Sequence, residues 1–304
     1  MKHKIPKLGA LIALTAGITI YVAEQLSVAP DGMPEGIAGY GESWPLVHKE
    51  DYEKTLGMSL PEVASGRVEI PRAFVKDLPK ALTTEQDVRK RKQLFAASLL
   101  PLILRANERL LKDRAYLLTL YDKWQQRGSI GARDSNWLRR LGRTYRVQVG
   151  DTIQPETFQA LLENVDIIPP SLALAQGAME SGWGTSRFAQ SGNALFGEWV
   201  WGDDKKGILP ARRNEGATHK IKSFDYLYDS VESYMTNLNR HPAYAELRAR
   251  RKELRDHNLM VTGAALAPAL VKYSERGEAY VNDILSIINF NGFGGLDSAR
   301  LAAA

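Results

Sequence analysis

The stretch Gln176-Gly177-Ala178-Met179-Glu180-Ser181-Gly182-Trp183-Gly184-Thr185-Ser186, continued by Asn193-Ala194-Leu195-Phe196-Gly197, decides how the rest of the chain is read. Glu180 is the only charged residue between Asp166 and Arg187, and Ser171 to Ser181 reads as an apolar helix ended by Gly182. A carboxyl in the last turn of such a helix meets apolar neighbours and the negative end of the helix dipole. Both disfavour its charged form and raise its pKa. A carboxylic acid that keeps its proton near neutrality is what protonation of a glycosidic leaving oxygen requires. Gly177 and Ala173 precede Glu180 on about the same face, so a bulky chain such as a glycan is expected to approach closely there. The bland alternative is a helix-end carboxylate paired with Arg187 or with a backbone amide.

Outward from this stretch, the chain punctuates itself. Pro169-Pro170-Ser171 marks the helix start, and Pro155 to Val165 forms a preceding helix with Phe158, Leu161 and Leu162 inward. Thr84 to Arg127 carries Leu94, Ala97, Leu100, Leu104, Leu111, Leu118 and Tyr121 at helical steps, with Pro101 expected to kink or split it. A helix from Asn136 to Arg146 follows a polar break. After the central stretch, Phe196 to Phe224 holds four glycines, two tryptophans and short β-type pieces, and reads as a small hairpin lobe. Helices are expected at Asp229 to Asn239, Ala264 to Lys272 and Ala279 to Ile288. The fold class is therefore mostly α (α+β), with a helical N-terminal region and a small β-lobe. Domain boundaries fall at 1–23, 24–65, 66–150 and 151–290, with 291–304 expected as a flexible tail.

The start of the chain is basic (Lys2, Lys4, Lys7) and runs into an apolar segment from Leu8 to Ala23, a secretory signal or a short membrane anchor. Small-residue pairs suited to cleavage are poor here, since Tyr21 and Ala23 precede Glu24 and the pair Ser27 and Ala29 precedes Pro30. An uncleaved anchor is favoured, with the lysines holding the N-terminus in the cytoplasm and the remainder exported to the periplasm. Residues 24–65 are a Gly/Pro-rich linker with eight acids and two bases. Of the net charge of +5 carried by 304 residues, this linker holds −6 and the first 23 residues +3, which leaves +8 on residues 66–304. A basic surface suits a mesh bearing carboxylates. The cluster Arg89, Lys90, Arg91 and Lys92 reads as a solvated helix face, and no nucleic acid is expected as a partner.

There is no cysteine, which excludes disulfides, thiolate metal sites and thiol nucleophiles. The five histidines are scattered, so no metal is expected, and no cofactor motif is present. An enzyme of this composition works with carboxylates and hydroxyls.

The sequence Glu180-Ser181-Gly182-Trp183-Gly184-Thr185-Ser186 followed by Asn193-Ala194-Leu195-Phe196-Gly197 resembles the glucosaminidase family of peptidoglycan hydrolases, glycoside hydrolase family 73, which includes the muramidase-like domain of the flagellar rod protein. The likeness continues through Val231-Glu232-Ser233-Tyr234, Asn239-Arg240-His241-Pro242-Ala243-Tyr244, Tyr273-Ser274 and Tyr280. Upstream, Ile70-Pro71-Arg72-Ala73-Phe74 and Arg91-Lys92-Gln93-Leu94-Phe95 resemble the N-terminal part of Bax-type bacterial proteins that carry such a domain. The resemblance implies a lysozyme-like fold and an endo-β-N-acetylglucosaminidase that cleaves the glycan strands of peptidoglycan. It implies Glu180 as general acid and Tyr273 beside the reacting sugar, with Trp183, Asn193, Phe196 and Tyr280 as substrate-binding positions. His241 and Tyr244 read first as a helix-to-loop corner.

The second carboxylate lacks its usual context. Glu215 is the nearest candidate by position, and Glu198, Asp203, Asp204 and Asp225 are poorer ones. A gap of ~6.5 to 9.5 Å to Glu180 would indicate inversion, one of ~5 to 5.5 Å retention, and no nearby acid would leave the substrate's own acetamido group as nucleophile. A lytic transglycosylase and a non-catalytic glycan-binding or scaffold protein of the cell envelope are the alternatives. No protein partner is identifiable.

Overall fold

The computed structural model describes residues 59–202, 206–210 and 219–303. The apolar segment at 8–23, residues 24–58 of the acidic linker, and Asp203, Asp204 and Glu215 lie outside the described residues. Among those described, no helix is long and apolar enough to cross a membrane.

The architecture is mostly α with a small β-lobe, as expected for a lysozyme-like domain. In chain order the helices are α1 (Leu60–Ala64), α2 (Ala81–Thr84), α3 (Val88–Arg127), α4 (Ala132–Tyr145), α5 (Pro155–Asn164), α6 (Pro170–Ser181), α7 (Arg187–Gly192), α8 (Leu227–Arg240), α9 (Ala245–Asp256), α10 (Gly263–Leu266) and α11 (Glu278–Phe290). The lobe contributes β1 (Trp199–Val200), β2 (Gly207–Ile208) and β3 (Lys220–Lys222). It is not a simple hairpin: β3 lies in the middle and pairs antiparallel with both neighbours, Trp199 opposite Ile221 and Gly207 opposite Lys222.

Helix α6 is the hub. Every residue from Pro170 to Ala178 is buried, because α3, α10, α11 and the 3-10 helix Phe293–Ser298 all pack on it. Its N-terminus is pinned by Asp297, which accepts hydrogen bonds from the Ser171 amide, the Ser171 hydroxyl and the Gly263 amide at 2.8, 2.8 and 2.9 Å. These are donors that a helix start leaves unsatisfied. Gly263 is required there, since a Cβ would stand 2.2 Å from Ser171 Oγ and 2.6 Å from Leu172 N.

Three further sequence expectations are revised, and one helix was not anticipated. Pro101 does not split α3, which runs unbroken through it for 40 residues. The proline removes one hydrogen bond, but the turns around it are buried from Phe95 to Leu104, and packing holds them. Residues 60–64, assigned to the linker, form α1, whose Val63 enters the core. Residues 291–303, expected as a flexible tail, are packed: Phe293, Leu296 and Leu301 are buried, and Ile70 bridges Leu301. Helix α9 had no apolar periodicity to announce it, because its anchor is Arg251. That guanidinium is fully buried and donates to the carbonyls of Ile167 and Glu163 and to Asn239 Oδ1 at 2.8, 2.9 and 2.7 Å.

Candidate active site

Glu180 stands at the C-terminal end of α6 and opens on a cleft of about 290 Å³, which is also lined by Phe196, Gly197, Glu198, Tyr234, Asn237, Tyr244, Tyr273 and Ser274. Two aromatic walls define it. Phe196 stacks flat on Tyr234, with ring centroids 3.9 Å apart, while Tyr244, Tyr273 and Tyr280 follow one another at 5.8 and 5.3 Å. The hydroxyls of Tyr244 and Tyr273 have no hydrogen-bond partner among the described residues, which leaves them available to a ligand in the cleft.

Burial raises the pKa of Glu180, and a hydrogen bond from the Tyr280 hydroxyl to Oε1 at 2.9 Å works in the opposite direction. Tyr280 is itself held: Gln176 Nε2 donates to its oxygen at 2.9 Å, and the Tyr234 hydroxyl donates to Gln176 Oε1 at 2.7 Å. A chain of four side chains from α8, α6 and α11 therefore fixes the carboxyl, and three of them (Gln176, Tyr234, Tyr280) are buried. The expected pairing alternative does not occur, because Arg187 donates to the Leu209 carbonyl instead.

The turn after Glu180 is built by the motif itself. Gly182, Trp183 and Gly184 are successive left-handed residues with φ of 58, 58 and 75°. Ser181 Oγ donates to the Gly177 carbonyl and accepts from the Gly184 amide at 2.8 Å, closing the turn. A side chain at Gly184 would meet Leu82, Leu78 and Phe95 at 3.0 to 3.2 Å. Of this motif, Glu180 alone lines the cleft.

That geometry sorts the expected site residues. Glu180, Tyr273 and Phe196 share the cleft. Trp183 does not line it: its ring lies against Phe95 and Phe293, at 5.6 and 6.2 Å, beneath the Lys92 ammonium. Asn193 is buried and caps α7 in a left-handed conformation, with its amide donating to Asp77 and to the Phe224 carbonyl. Tyr280 supports Glu180 from behind the cleft wall. Gly177 gives room to Phe95, Leu99 and Phe196, all within 3.5 Å of where its Cβ would be, and not to a ligand. Asp225 pairs with Lys206 at 2.9 Å on the outside of the lobe.

Sequence reading underrated Gln176, Tyr234, Tyr244 and Glu198. A signal for Gln176 was present: a lone amide in an apolar helix, four residues before Glu180, lies on the same face. Tyr244 reaches the cleft because His241 caps the 3-10 helix Pro242–Tyr244, its Nδ1 accepting from the Ala243 amide. The corner was legible in the sequence, whereas the direction it faces was not.

Every cleft residue falls within residues 155–292, which match the glucosaminidase family described as mannosyl-glycoprotein endo-beta-N-acetylglucosaminidase. At the level of the family, this is a glycosidase-type domain. The chain is also 33% identical over 217 residues to Protein bax of Escherichia coli (strain K12), an alignment covering 70% of this chain and 72% of that protein. It belongs to the family of Bax-type proteins with a glucosaminidase domain. A comparison with solved structures found no match.

Proposed function

We propose that the protein is a peptidoglycan hydrolase, an endo-β-N-acetylglucosaminidase in which Glu180 donates the proton to the leaving oxygen of a glycan strand. The observation that carries this is the carboxyl itself: it is crowded enough to raise its pKa, fixed in direction by Tyr280, and open to an aromatic cleft. Flat tyrosine and phenylalanine faces suit the apolar faces of sugar rings, and the free hydroxyls of Tyr244 and Tyr273 suit their polar rims. The place of action is the periplasm, with residues 8–23 holding the chain at the inner membrane.

The test is digestion of purified sacculi. Glu180→Gln should lower fragment release by about 10²–10⁴-fold, the usual contribution of a positioned acid, with the thermal transition unchanged. Release at the parent rate would refute the acid assignment. Mass spectrometry of the fragments decides the bond: new reducing ends at N-acetylglucosamine are expected, whereas anhydro ends would identify a lytic transglycosylase. Sacculus binding without release would identify a binding protein.

A further inference from the structure

Glu180 is not the only acid in the cleft. Glu198 lines it too, and its two oxygens are treated differently by the fold. Oε2 is held by two elements: Ser233 of α8 donates to it at 2.7 Å, and Lys222 of β3 lies 3.5 Å from it while donating to Ser233 Oγ at 2.8 Å. Oε1 is buried and has no partner among the described residues. Leaving a buried carboxylate oxygen unpaired costs free energy, and such an acceptor calls for a water or a ligand group to complete it. Its backbone is fixed as well. Gly197 turns the chain into the lobe at φ 65°, and the Lys222 amide donates to the Glu198 carbonyl at 2.8 Å. This carboxylate therefore sits at the root of the lobe, braced by α8.

We propose that Glu198 is the second carboxylate of this site, the general base that accepts a proton from the attacking water. The proposal rests on the glycan-hydrolase reading of the cleft. A cleft of about 290 Å³ has room for a water, whose share of the liquid is about 30 Å³, beside part of a sugar. The water oxygen bonds to the anomeric carbon from the face opposite the leaving oxygen, and its proton passes to Glu198 Oε1. The bond from the anomeric carbon to the leaving oxygen breaks, its electron pair stays on that oxygen, and the oxygen takes the proton of Glu180. One water is consumed, no redox partner is needed, and the configuration at the anomeric carbon inverts.

The experiment uses the full chain on purified sacculi, comparing the parent with Glu198→Gln, Glu198→Ala, Ser233→Ala and Glu180→Gln. In the parent, the new reducing N-acetylglucosamine should appear first as the α anomer by NMR. Glu198→Gln should lose about 10²–10⁴-fold in turnover with sacculus binding unchanged. Azide should restore turnover to Glu198→Ala by attacking without a base, and it should be captured on the anomeric carbon. Ser233→Ala, which keeps the carboxylate but frees it to rotate, should lower kcat and leave KM in place, and it carries the test if the Glu198 variants fail to fold. Parent-like turnover in Glu198→Gln beside an inactive Glu180→Gln, or a β anomer as first product, overturns Glu198 as the base and leaves the hydrolase reading standing. A parent chain that releases no reducing N-acetylglucosamine overturns the hydrolase reading, and Glu198 with it.

Discussion

The hydroxyl of Tyr280 touches the proposed acid and has an opposing effect on it. By donating to Glu180 Oε1 it favours the charged form, while the crowded cleft favours the neutral one, and the crowding wins. Tyr280→Phe removes only the first influence, so the pKa of Glu180 should rise further. The alkaline limb of the kcat/KM profile should then move to higher pH, while kcat falls because the carboxyl loses its orientation. An alkaline limb that stays put or moves to lower pH would show that Tyr280 does not act on this proton. At this scale the sequence located the cleft carboxyl of Glu180, because a lone charge at the end of an apolar helix is visible in one dimension. It misjudged Trp183 and Asn193, whose places in the same motif suggested the cleft. Three consecutive left-handed residues turn the Trp183 ring towards Phe95 and Phe293, and a local motif cannot say which way such a turn points.

Between α3 and α8 a second cavity, of about 380 Å³, gathers Arg109, Asp113, Tyr145, Asp229, Glu232 and Arg240. Arg109 pairs with Glu232 across the two helices. Burial pushes Asp113 from 3.8 up to about 7, opposed by Arg109 and assisted by Glu232. Since this folded pKa lies above the unfolded one, the contribution to stability is fully present below about pH 4 and is lost as pH rises through 7. Asp113→Asn should therefore be more stable than the parent at pH 8, by up to about 4 kcal/mol, and the difference should vanish near pH 4. Denaturant unfolding at the two values checks this, and equal stability at pH 8 would refute it. Elements with apolar periodicity, such as α3, α4 and α8, were legible in the sequence to within a few residues. Helix α9 was not: its register is set by Arg251, whose partners on α8 and in the 163–168 segment are brought to it only by the fold.

Across the whole molecule one hydrophobic core runs from Val63 to Leu301. Phe95 and Leu99 of α3 lie against Gly177 and Gly184 beside the proposed acid, and α3 packs on α5, α6 and α8. The helices of 66–150 are thus part of the scaffold of the glucosaminidase domain in the described residues, and the boundary at 150 is not a break in the core. The chain should unfold in one calorimetric transition, and residues 151–304 expressed alone should show no cooperative transition. Two separated transitions, or a stable fragment, would refute the shared core. What the sequence determined by itself is what travels along the chain: helix periodicity, the glycine turn after Glu180, the charge partition and the absence of thiol chemistry. The tertiary structure alone decided which side chains face one another, since Glu180 and Glu198, eighteen positions apart, share a cleft only because α6, α8 and the lobe converge there. Periodicity and turn chemistry are local and survive in one dimension, whereas the direction of a side chain across a packed interface depends on every element that packs against it.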